Sequence, residues 1–338
     1  MGPLGQPEAK RGTSPVCSPF RNQPSRGLPF SRNAARAYDE IGLEQAMTWI
    51  VGTPTMFGYG LGISDVRVTL GDGSEADCLQ KIHPVGRWIA AGFAGAVCIG
   101  FAMVEELRKL AYLEDERLAC DPLLVAQEWP NYARQVFAKF PPDARGNGCH
   151  LMLISTHPRD HTGNPLWARS YVHIFRFPGF QPQMIPVHTL GSIGCGTSYP
   201  PCRAAVEAFS SDPKRRALFV QGEVGMQGGM ATILGFNLTQ LLLRTQPGGI
   251  SSHLHYCWVY RGEIIIKTND HTQKGRWSIL ESGSGVNRDP TTPDTTTSKQ
   301  AVLEDGATAF AMPRLAATWE ELVQFLNATG VKAERCIA

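Results

Sequence analysis

The order of strand-like and helix-like segments is the feature that most constrains how this chain can fold. Runs rich in β-branched and aromatic residues predict strands, whereas a 3.6-residue apolar period predicts helices. Here the two kinds come in blocks: strands, two helices, strands, two helices and strands. Such blocks disfavour a parallel, doubly wound sheet. The order therefore predicts an α+β fold, an αββα sandwich of two antiparallel sheets flanked by helix pairs.

Local patterns place the individual elements. Ile99, Met103 and Leu107 recur on one face of the first predicted helix, and Asp121 before Pro122 predicts the N-cap of the second. The predicted helices are 96–113, 122–140, 201–209, 226–243 and 319–326. The predicted strands are 49–53, 58–69, 82–92, 150–155, 171–177, 184–192, 253–260 and 263–268, with a tight turn joining the last two.

A change in composition at Thr48 predicts where the folded part begins. The preceding residues are rich in Pro, Gly, Ser and Arg and show no periodicity, so they cannot bury enough apolar surface to offset the entropy lost on ordering. We predict four parts: 1–47, a disordered leader, mis-assigned start or propeptide; 48–280, the folded domain; 281–300, a Thr/Pro-rich linker; and 301–338, a C-terminal extension with one helix.

Charge and cysteine content predict the surroundings of the protein. A formal net charge of +2 gives no reason to expect nucleic acid or an anionic membrane as a partner. The nine cysteines show no regular spacing, which favours free thiols in a reducing compartment. The apolar run 88–104 is shorter than the roughly 20 residues that span a bilayer, and three glycines interrupt it. We therefore predict a cytoplasmic location.

Several short motifs bear a partial likeness to metal or phosphate sites. His157 and His161 resemble a metal-binding pair, but Pro158 disfavours the helix that would bring them together. His253, His255 and Cys257 alternate along a predicted strand, where a mixed core or interface face is favoured over a metal site. The glycine-rich stretch 222–229 lacks the Lys-Ser/Thr ending of a phosphate loop. We predict no metal and no cofactor.

One spaced set of residues points to a family. The set is Thr48 in TWIVG, Asp65 and Arg67 in SDVRVT, Lys81 in QKIH and Gly95 at the end of AAGFAG. These motifs and their separations resemble the β-type subunits of the proteasome and the related bacterial HslV peptidase, apart from one extra residue between the threonine and the aspartate. SIGCGTSYPPCRAAVEAF, 192–209, resembles a strand–GSG–helix segment of the same family. The resemblance implies the αββα fold of N-terminal nucleophile hydrolases.

The resemblance also implies roles for these residues. A threonine hydroxyl needs a base, and the α-amine of an N-terminal Thr48 would supply one near neutral pH. Lys81 would lie beside that hydroxyl, and Asp65 would pair with Lys81, because a buried lone charge is costly. The Gly95 N–H would bind the oxyanion, and Arg67 would support the charges.

Further family positions imply a specificity pocket for the residue before the cut. They fall on Val68, Leu79, His83, Phe93 and Val97. This mostly apolar set favours a neutral or hydrophobic side chain, and plain core packing is the competing interpretation.

Three positions depart from the family pattern. Cys195 replaces the serine of the GSG motif, and a thiol is a weaker donor. A second aspartate and serine of the family fall on Arg244 and Pro247, which cannot take over their roles. These two positions therefore cannot give the α-amine of Thr48 the support that the family's aspartate and serine provide.

The position of Thr48 leaves three alternatives for the N-terminus. Synthesis starts at Met47, which is then removed; or residues 1–47 are a self-cleaved propeptide; or the chain keeps them as a non-catalytic subunit. The first alternative is favoured. The sequence thus predicts a threonine-type endopeptidase acting on peptides or unfolded proteins in a homo-oligomeric ring, with any ATPase unfoldase a separate protein. A structural subunit and a small-molecule amidase are the alternatives.

Overall fold

The computed structural model describes eleven stretches of the chain. They are residues 48–55, 58–70, 73–111, 121–146, 148–157, 169–187, 189–211, 229–260, 262–271, 277–280 and 314–328. The predicted leader and the predicted linker both lie outside these stretches.

Thirteen strands occur in the described residues, and every pairing between them is antiparallel. One sheet has six strands in the order β10-β1-β2-β11-β12-β13, a second has five in the order β5-β6-β7-β8-β9, and β3 pairs with β4. The bounds are β1 Trp49–Pro54, β2 Tyr59–Asp65, β3 Arg67–Thr69, β4 Glu75–Asp77, β5 Ile82–Pro84, β6 Ile89–Gly95, β7 Cys149–Thr156, β8 Ser170–Phe175, β9 Pro182–Met184, β10 Gly191–Gly194, β11 Leu254–Tyr260, β12 Glu263–His271 and β13 Trp277–Leu280.

Six α-helices accompany these sheets in the same stretches. They are α1 Val97–Ala111, α2 Pro122–Ala138, α3 Pro142–Arg145, α4 Pro200–Ser211, α5 Gly229–Thr245 and α6 Trp319–Ala328, and a 3-10 turn, Cys195–Thr197, links β10 to α4. The predicted cap is confirmed: the Asp121 carboxylate accepts the N–H groups of Leu123 and Leu124 at 3.0 and 3.3 Å. Among these helices, none has the length and apolarity needed to cross a bilayer.

Three buried clusters hold the elements together. The first packs the five-stranded sheet against α1, α2 and α6, and the second packs the six-stranded sheet against α4 and α5. The third contains side chains of both sheets, for example Ile50, Ile154 and Cys257. The two sheets therefore share a core, and each has helices on its other face. The predicted α+β class with antiparallel sheets is confirmed.

Three predicted strands are each two strands in the structure. The predicted 58–69 breaks at Val66, whose carbonyl accepts the N–H groups of Cys78 and Leu79, so β3 leaves the large sheet and pairs with β4. The predicted 82–92 is folded back at Val85, which donates to Ile89, and forms β5 and β6. The predicted 184–192 divides into β9 and β10, which belong to different sheets. The predicted turn is confirmed, since Tyr260 pairs with Glu263.

Candidate active site

A fully buried ion pair lies where β2 ends and β5 begins. The Lys81 ammonium donates to Asp65 Oδ1 at 2.9 Å, and both side chains are 0% exposed. A buried ion pair rarely adds net stability, because desolvating two charges costs about as much as their attraction returns. Its position in the interior therefore calls for an explanation other than folding stability.

Asp65 has further partners that connect it to the start of the folded domain. Its Oδ2 accepts the Trp49 N–H at 2.6 Å, and its Oδ1 accepts the Arg67 N–H at 2.9 Å and, more weakly, the Ser251 N–H at 3.5 Å. Burial raises the pKa of the Asp65 carboxyl above its ordinary value, while the Lys81 ammonium and the backbone donors act to lower that pKa. The ammonium and the three N–H groups all donate, so both Asp65 oxygens act as acceptors.

Thr48 lies beside this pair, since its neighbour Trp49 is bound to Asp65. The Thr48 carbonyl accepts the Cys195 thiol at 3.4 Å and the Gly196 N–H at 3.5 Å. In the full-length chain Thr48 is 2% exposed. A substrate could therefore reach its hydroxyl only after whatever covers it has moved or been removed.

Two glycines shape the backbone around Thr48. A Cβ on Gly194 would lie 1.9 Å from the Thr48 carbonyl oxygen and 3.3 Å from the Ala94 Cβ, and Gly194 has φ +92°. Gly95, next to Ala94, has φ +112°, and a Cβ there would lie 2.5 Å from the Gly148 carbonyl oxygen. Only glycine meets both demands without strain. The chain segment that ends at Gly95 thus comes close to the backbone around Thr48.

The Arg67 side chain belongs to a second, partly exposed charge network that the sequence did not reveal. Arg67 donates to Asp77 Oδ1 and to Glu75 Oε2, both at 2.7 Å. Asp77 Oδ2 also accepts the Ser251 hydroxyl at 2.6 Å and lies 3.0 Å from His253 Nδ1. Burial acts to raise the pKa of Asp77, but these hydrogen bonds outweigh it and hold that pKa below its ordinary value.

Arg67 and Ser251 connect the two networks, because each reaches Asp65 through its backbone N–H and Asp77 through its side chain. The only sequence signal for the second network was the i, i+2 spacing of Glu75 with Asp77 and of Ser251 with His253. Such spacing puts alternate side chains of an extended chain on one side.

The five predicted pocket residues are all interior. Val68, Leu79 and Val97 are 0% exposed, and His83 and Phe93 are 1% exposed. The four apolar members belong to the cluster that packs against α1, α2 and α6. The His83 ring stacks on Phe93 with centroids 5.7 Å apart. In this form of the chain the set is packed core and is closed to solvent.

Two buried histidines lie near Lys81. Burial lowers the pKa values of His83 and His255 to about 3 each, so both rings are neutral at physiological pH. His255 Nε2 lies 2.9 Å from the Ser64 hydroxyl. His83 Nε2 and His255 Nδ1 have no hydrogen-bond partner in the described part of the chain. The interior around Lys81 is therefore more polar than its burial suggests.

The remaining residues singled out in the sequence lie apart from this site. Arg244 is exposed on α5, while Pro247 is buried in the turn that follows. Of the histidine pair, His157 is described, with Nε2 3.7 Å from an Asp121 oxygen, and His161 lies outside the described residues. Residues 222–228 lie outside them as well. Within the described stretches, no group of three or more His, Cys, Asp or Glu side chains is arranged to hold a metal ion.

Comparison with known proteins does not identify a family for this chain. No model of a known protein family matches the sequence, and no curated protein gives a significant match.

Proposed function

We propose that the protein is a threonine-type N-terminal nucleophile hydrolase, and that it cuts peptide bonds once residues 1–47 have been removed. The observation that carries the proposal is the fully buried Lys81–Asp65 pair, whose carboxylate also binds the residue that follows Thr48. A buried charge pair that adds little to the free energy of folding is expected at a functional site, where the charges act on a reacting group. The arrangement of helices on the outer faces of two stacked antiparallel sheets supports the αββα fold that this class uses.

The reaction would proceed in two acyl-transfer steps. The Thr48 hydroxyl oxygen attacks the peptide carbonyl carbon, and the new α-amine of Thr48 takes the hydroxyl proton. That proton passes to the leaving amine as the C–N bond breaks, which leaves an ester on Thr48. Water then attacks the ester, its proton returns through the amine to the Thr48 oxygen, and the acid product departs.

The surrounding residues would stabilise charge in these steps. The Lys81 ammonium would lower the energy of the developing alkoxide, and Asp65 would orient Lys81 by pairing with it. The Gly95 N–H would donate to the oxyanion. Cys195 and Gly196 fix the Thr48 carbonyl, and hence the direction in which its side chain and amine point.

A form of the chain that begins at Thr48 tests the proposal. It is produced by specific cleavage of a fusion placed before Thr48, and treated with an electrophilic peptide inhibitor. We expect one covalent adduct on Thr48 by mass spectrometry, none in full-length protein and none in Thr48→Ala. Absence of an adduct, together with intact residues 1–47 in protein isolated from its native host, would refute the proposal.

The 2% exposure of Thr48 in the full-length chain favours one second candidate, a non-catalytic subunit of the same fold. This candidate predicts that residues 1–47 are retained in the host and that Thr48→Ala assembles like the wild type. The proposed homo-oligomeric ring is common to both candidates, and sedimentation of the full-length and leaderless chains measures it. A monomer in both forms would contradict the ring.

A further inference from the structure

The C-terminal segment, residues 314–328, is built into the domain beside the predicted pocket. The Ala316 N–H donates to the Cys78 carbonyl at 2.7 Å, and the Ala316 carbonyl accepts the Gln80 N–H at 3.0 Å. These two bonds enclose Leu79, which forms a parallel bridge with Ala316. The segment therefore lies against the backbone of Leu79, a predicted pocket residue two positions before Lys81.

Helix α6 adds buried side chains to the same cluster as the pocket residues. Trp319 is 8% exposed, Leu322 is 0% and Leu326 is 1%. The helix start is fixed locally, because the Thr318 hydroxyl accepts the Glu321 N–H at 3.1 Å and the Glu321 carboxylate accepts the Ala317 N–H at 2.7 Å. Trp319 is therefore the first residue of a helix whose start is fixed by two hydrogen bonds.

A chain of ring contacts leads from Trp319 to the pocket. Trp319 packs edge to face on Phe101, with ring centroids 6.3 Å apart. Phe101 in turn contacts Phe93 at 5.2 Å and His83 at 5.5 Å. Such contacts are within the range of favourable aromatic pairs.

Phe93 is packed against the backbone of α1 as well as against Phe101. A Cβ on Gly100 would lie 2.1 Å from a carbon of the Phe93 ring, so this ring rests directly on the backbone of α1. The parallel His83 ring covers one face of Phe93. Phe101, which contacts both Phe93 and His83, is in turn packed against Trp319.

We infer that Trp319 is a specificity-determining residue that restricts the pocket to small, uncharged side chains by holding Phe101 against Phe93 and His83. The inference rests on the proposed function. All five pocket residues are packed and at most 1% exposed, so a side chain enters only when a ring moves, and a larger side chain needs a larger movement. The neutral His83 ring offers no charge to a charged side chain, which would lose its hydration on entry.

The test uses the leaderless chain and peptides that differ only in the residue before the cut: Ala, Val, Leu, Phe and Lys. We expect the wild type to prefer Ala. Trp319→Ala should raise the ratio of kcat/KM for Phe over Ala by about tenfold or more, since pocket fit is worth that much per methylene-sized change. Trp319→Phe should give an intermediate ratio.

Leu326→Ala is the matched control. It empties a fully buried site in the same helix and cluster, two turns beyond Trp319, and so reports general loosening of the core. An unchanged ratio in Trp319→Ala, or an equal change in Leu326→Ala, overturns the inference. If Trp319→Ala does not fold, the ratio measured for Trp319→Phe is judged by the same criteria.

The outcomes also separate this inference from the proposed function. A wild type that cuts none of the peptides refutes both. Cutting with an unaltered preference in the Trp319 variants refutes this inference alone.

Discussion

The two charge networks of this molecule lie side by side and are built in opposite ways. The Lys81–Asp65 pair is 0% exposed, and its acceptor faces an ammonium and backbone N–H groups, which can only donate. In the Asp77 network the arginine and aspartate side chains are 27% and 19% exposed, and the partners include a hydroxyl and an imidazole. Those two groups can accept as well as donate. The first network is thus intolerant of change, while the second can adapt.

The largest expected effect is that of replacing the Asp65 carboxylate by an amide, compared with the same change at Asp77. Asp65→Asn removes the buried counter-ion of Lys81, and the new NH₂ group either meets the Trp49 N–H or displaces another donor. We expect a loss of about 3–5 kcal/mol in the free energy of unfolding. Asp77→Asn should cost about 1–2 kcal/mol, because Ser251 and His253 can reverse their hydrogen bonds.

Urea denaturation of the full-length chain measures both values. The double variant Asp65→Leu/Lys81→Met removes both charges and should recover part of the stability that Asp65→Asn loses. Recovery is incomplete because the N–H groups of Trp49, Arg67 and Ser251 lose their acceptor. In the leaderless chain this variant should still form no covalent adduct at Thr48. Equal losses in Asp65→Asn and Asp77→Asn would mean that the two networks do not differ as argued.

A pair of glycines sharpens the same comparison in the backbone. Gly194 lies against the Thr48 carbonyl, whereas Gly73, in the turn between β3 and β4, has φ +80° and open space within 4 Å of the position that a Cβ would occupy. Alanine at either position keeps a positive φ, which costs about 1–2 kcal/mol in the left-handed region. Gly194 also has ψ −177°, a combination with positive φ that essentially only glycine adopts. Gly194→Ala must also displace Thr48, so we expect it to cost at least about 2 kcal/mol more.

Thermal or urea unfolding of the two variants gives the difference directly. Gly73→Ala serves as the control for a positive φ without a close contact. A similar loss in both variants would show that Thr48 and Gly194 are not in the tight contact described.

Acid should weaken the surroundings of Lys81 before it weakens the Asp77 network. The folded-state pKa values of His83 and His255 are about 3, below the ordinary value of 6.5. The unfolded chain therefore binds more protons, and the stability that comes from keeping the rings neutral is complete above pH 6.5 and is lost as the pH falls towards 3. The slope is about 1.4 kcal/mol per pH unit for each histidine. Asp77 also has a lowered pKa, so its contribution is lost only below its ordinary value of 3.8.

Unfolding free energies at several pH values between about 6.5 and 4.5 test this order. His83→Gln should reduce the slope by about 1.4 kcal/mol per pH unit. Asp77→Asn, the control, should shift the curve without changing its slope in that window. A slope unaffected by His83→Gln would contradict the burial of a neutral ring.

The smallest expected effect is at Cys195, on the edge of the Thr48 site. Burial raises the pKa of this thiol, so it is protonated at neutral pH and donates weakly to the Thr48 carbonyl. Cys195→Ser supplies a stronger donor, and we expect stability to change by no more than about 1 kcal/mol. The rate of adduct formation in the leaderless chain should be retained. A loss of more than about tenfold, or 1.4 kcal/mol, would show that the thiol itself is required.

Local elements were predictable from the sequence because they depend on neighbours along the chain. The apolar period of α1, the Asp121 cap of α2 and the two-residue turn between β11 and β12 all follow from local patterns. The split of 58–69 was missed, because it arises at Val66 from hydrogen bonds to Cys78 and Leu79, residues more than ten positions away. A pattern of side chains carries no information about such distant partners.

The candidate site divides in the same way. The sequence named Asp65 and Lys81 as a pair, and the structure joins them at 2.9 Å. It did not name Ser251, whose two hydrogen bonds link the networks although Ser251 is 186 positions from Asp65 and 174 from Asp77 in the sequence. It also did not show that the C-terminal helix packs beside the pocket, because nothing near Trp319 along the chain identifies Phe101 as its neighbour.

By itself, then, the sequence determined the α+β class and most helix and strand positions, and it predicted that Asp65 and Lys81 form a pair. Only the tertiary structure decided that the Lys81–Asp65 pair is fully buried, that Thr48 is covered in the full-length chain, and that helix α6 packs in the same cluster as the predicted pocket residues. Periodicity and capping are set within a few residues of chain. Burial and charge pairing are set by which distant surfaces meet, and that is fixed only when the whole core is packed.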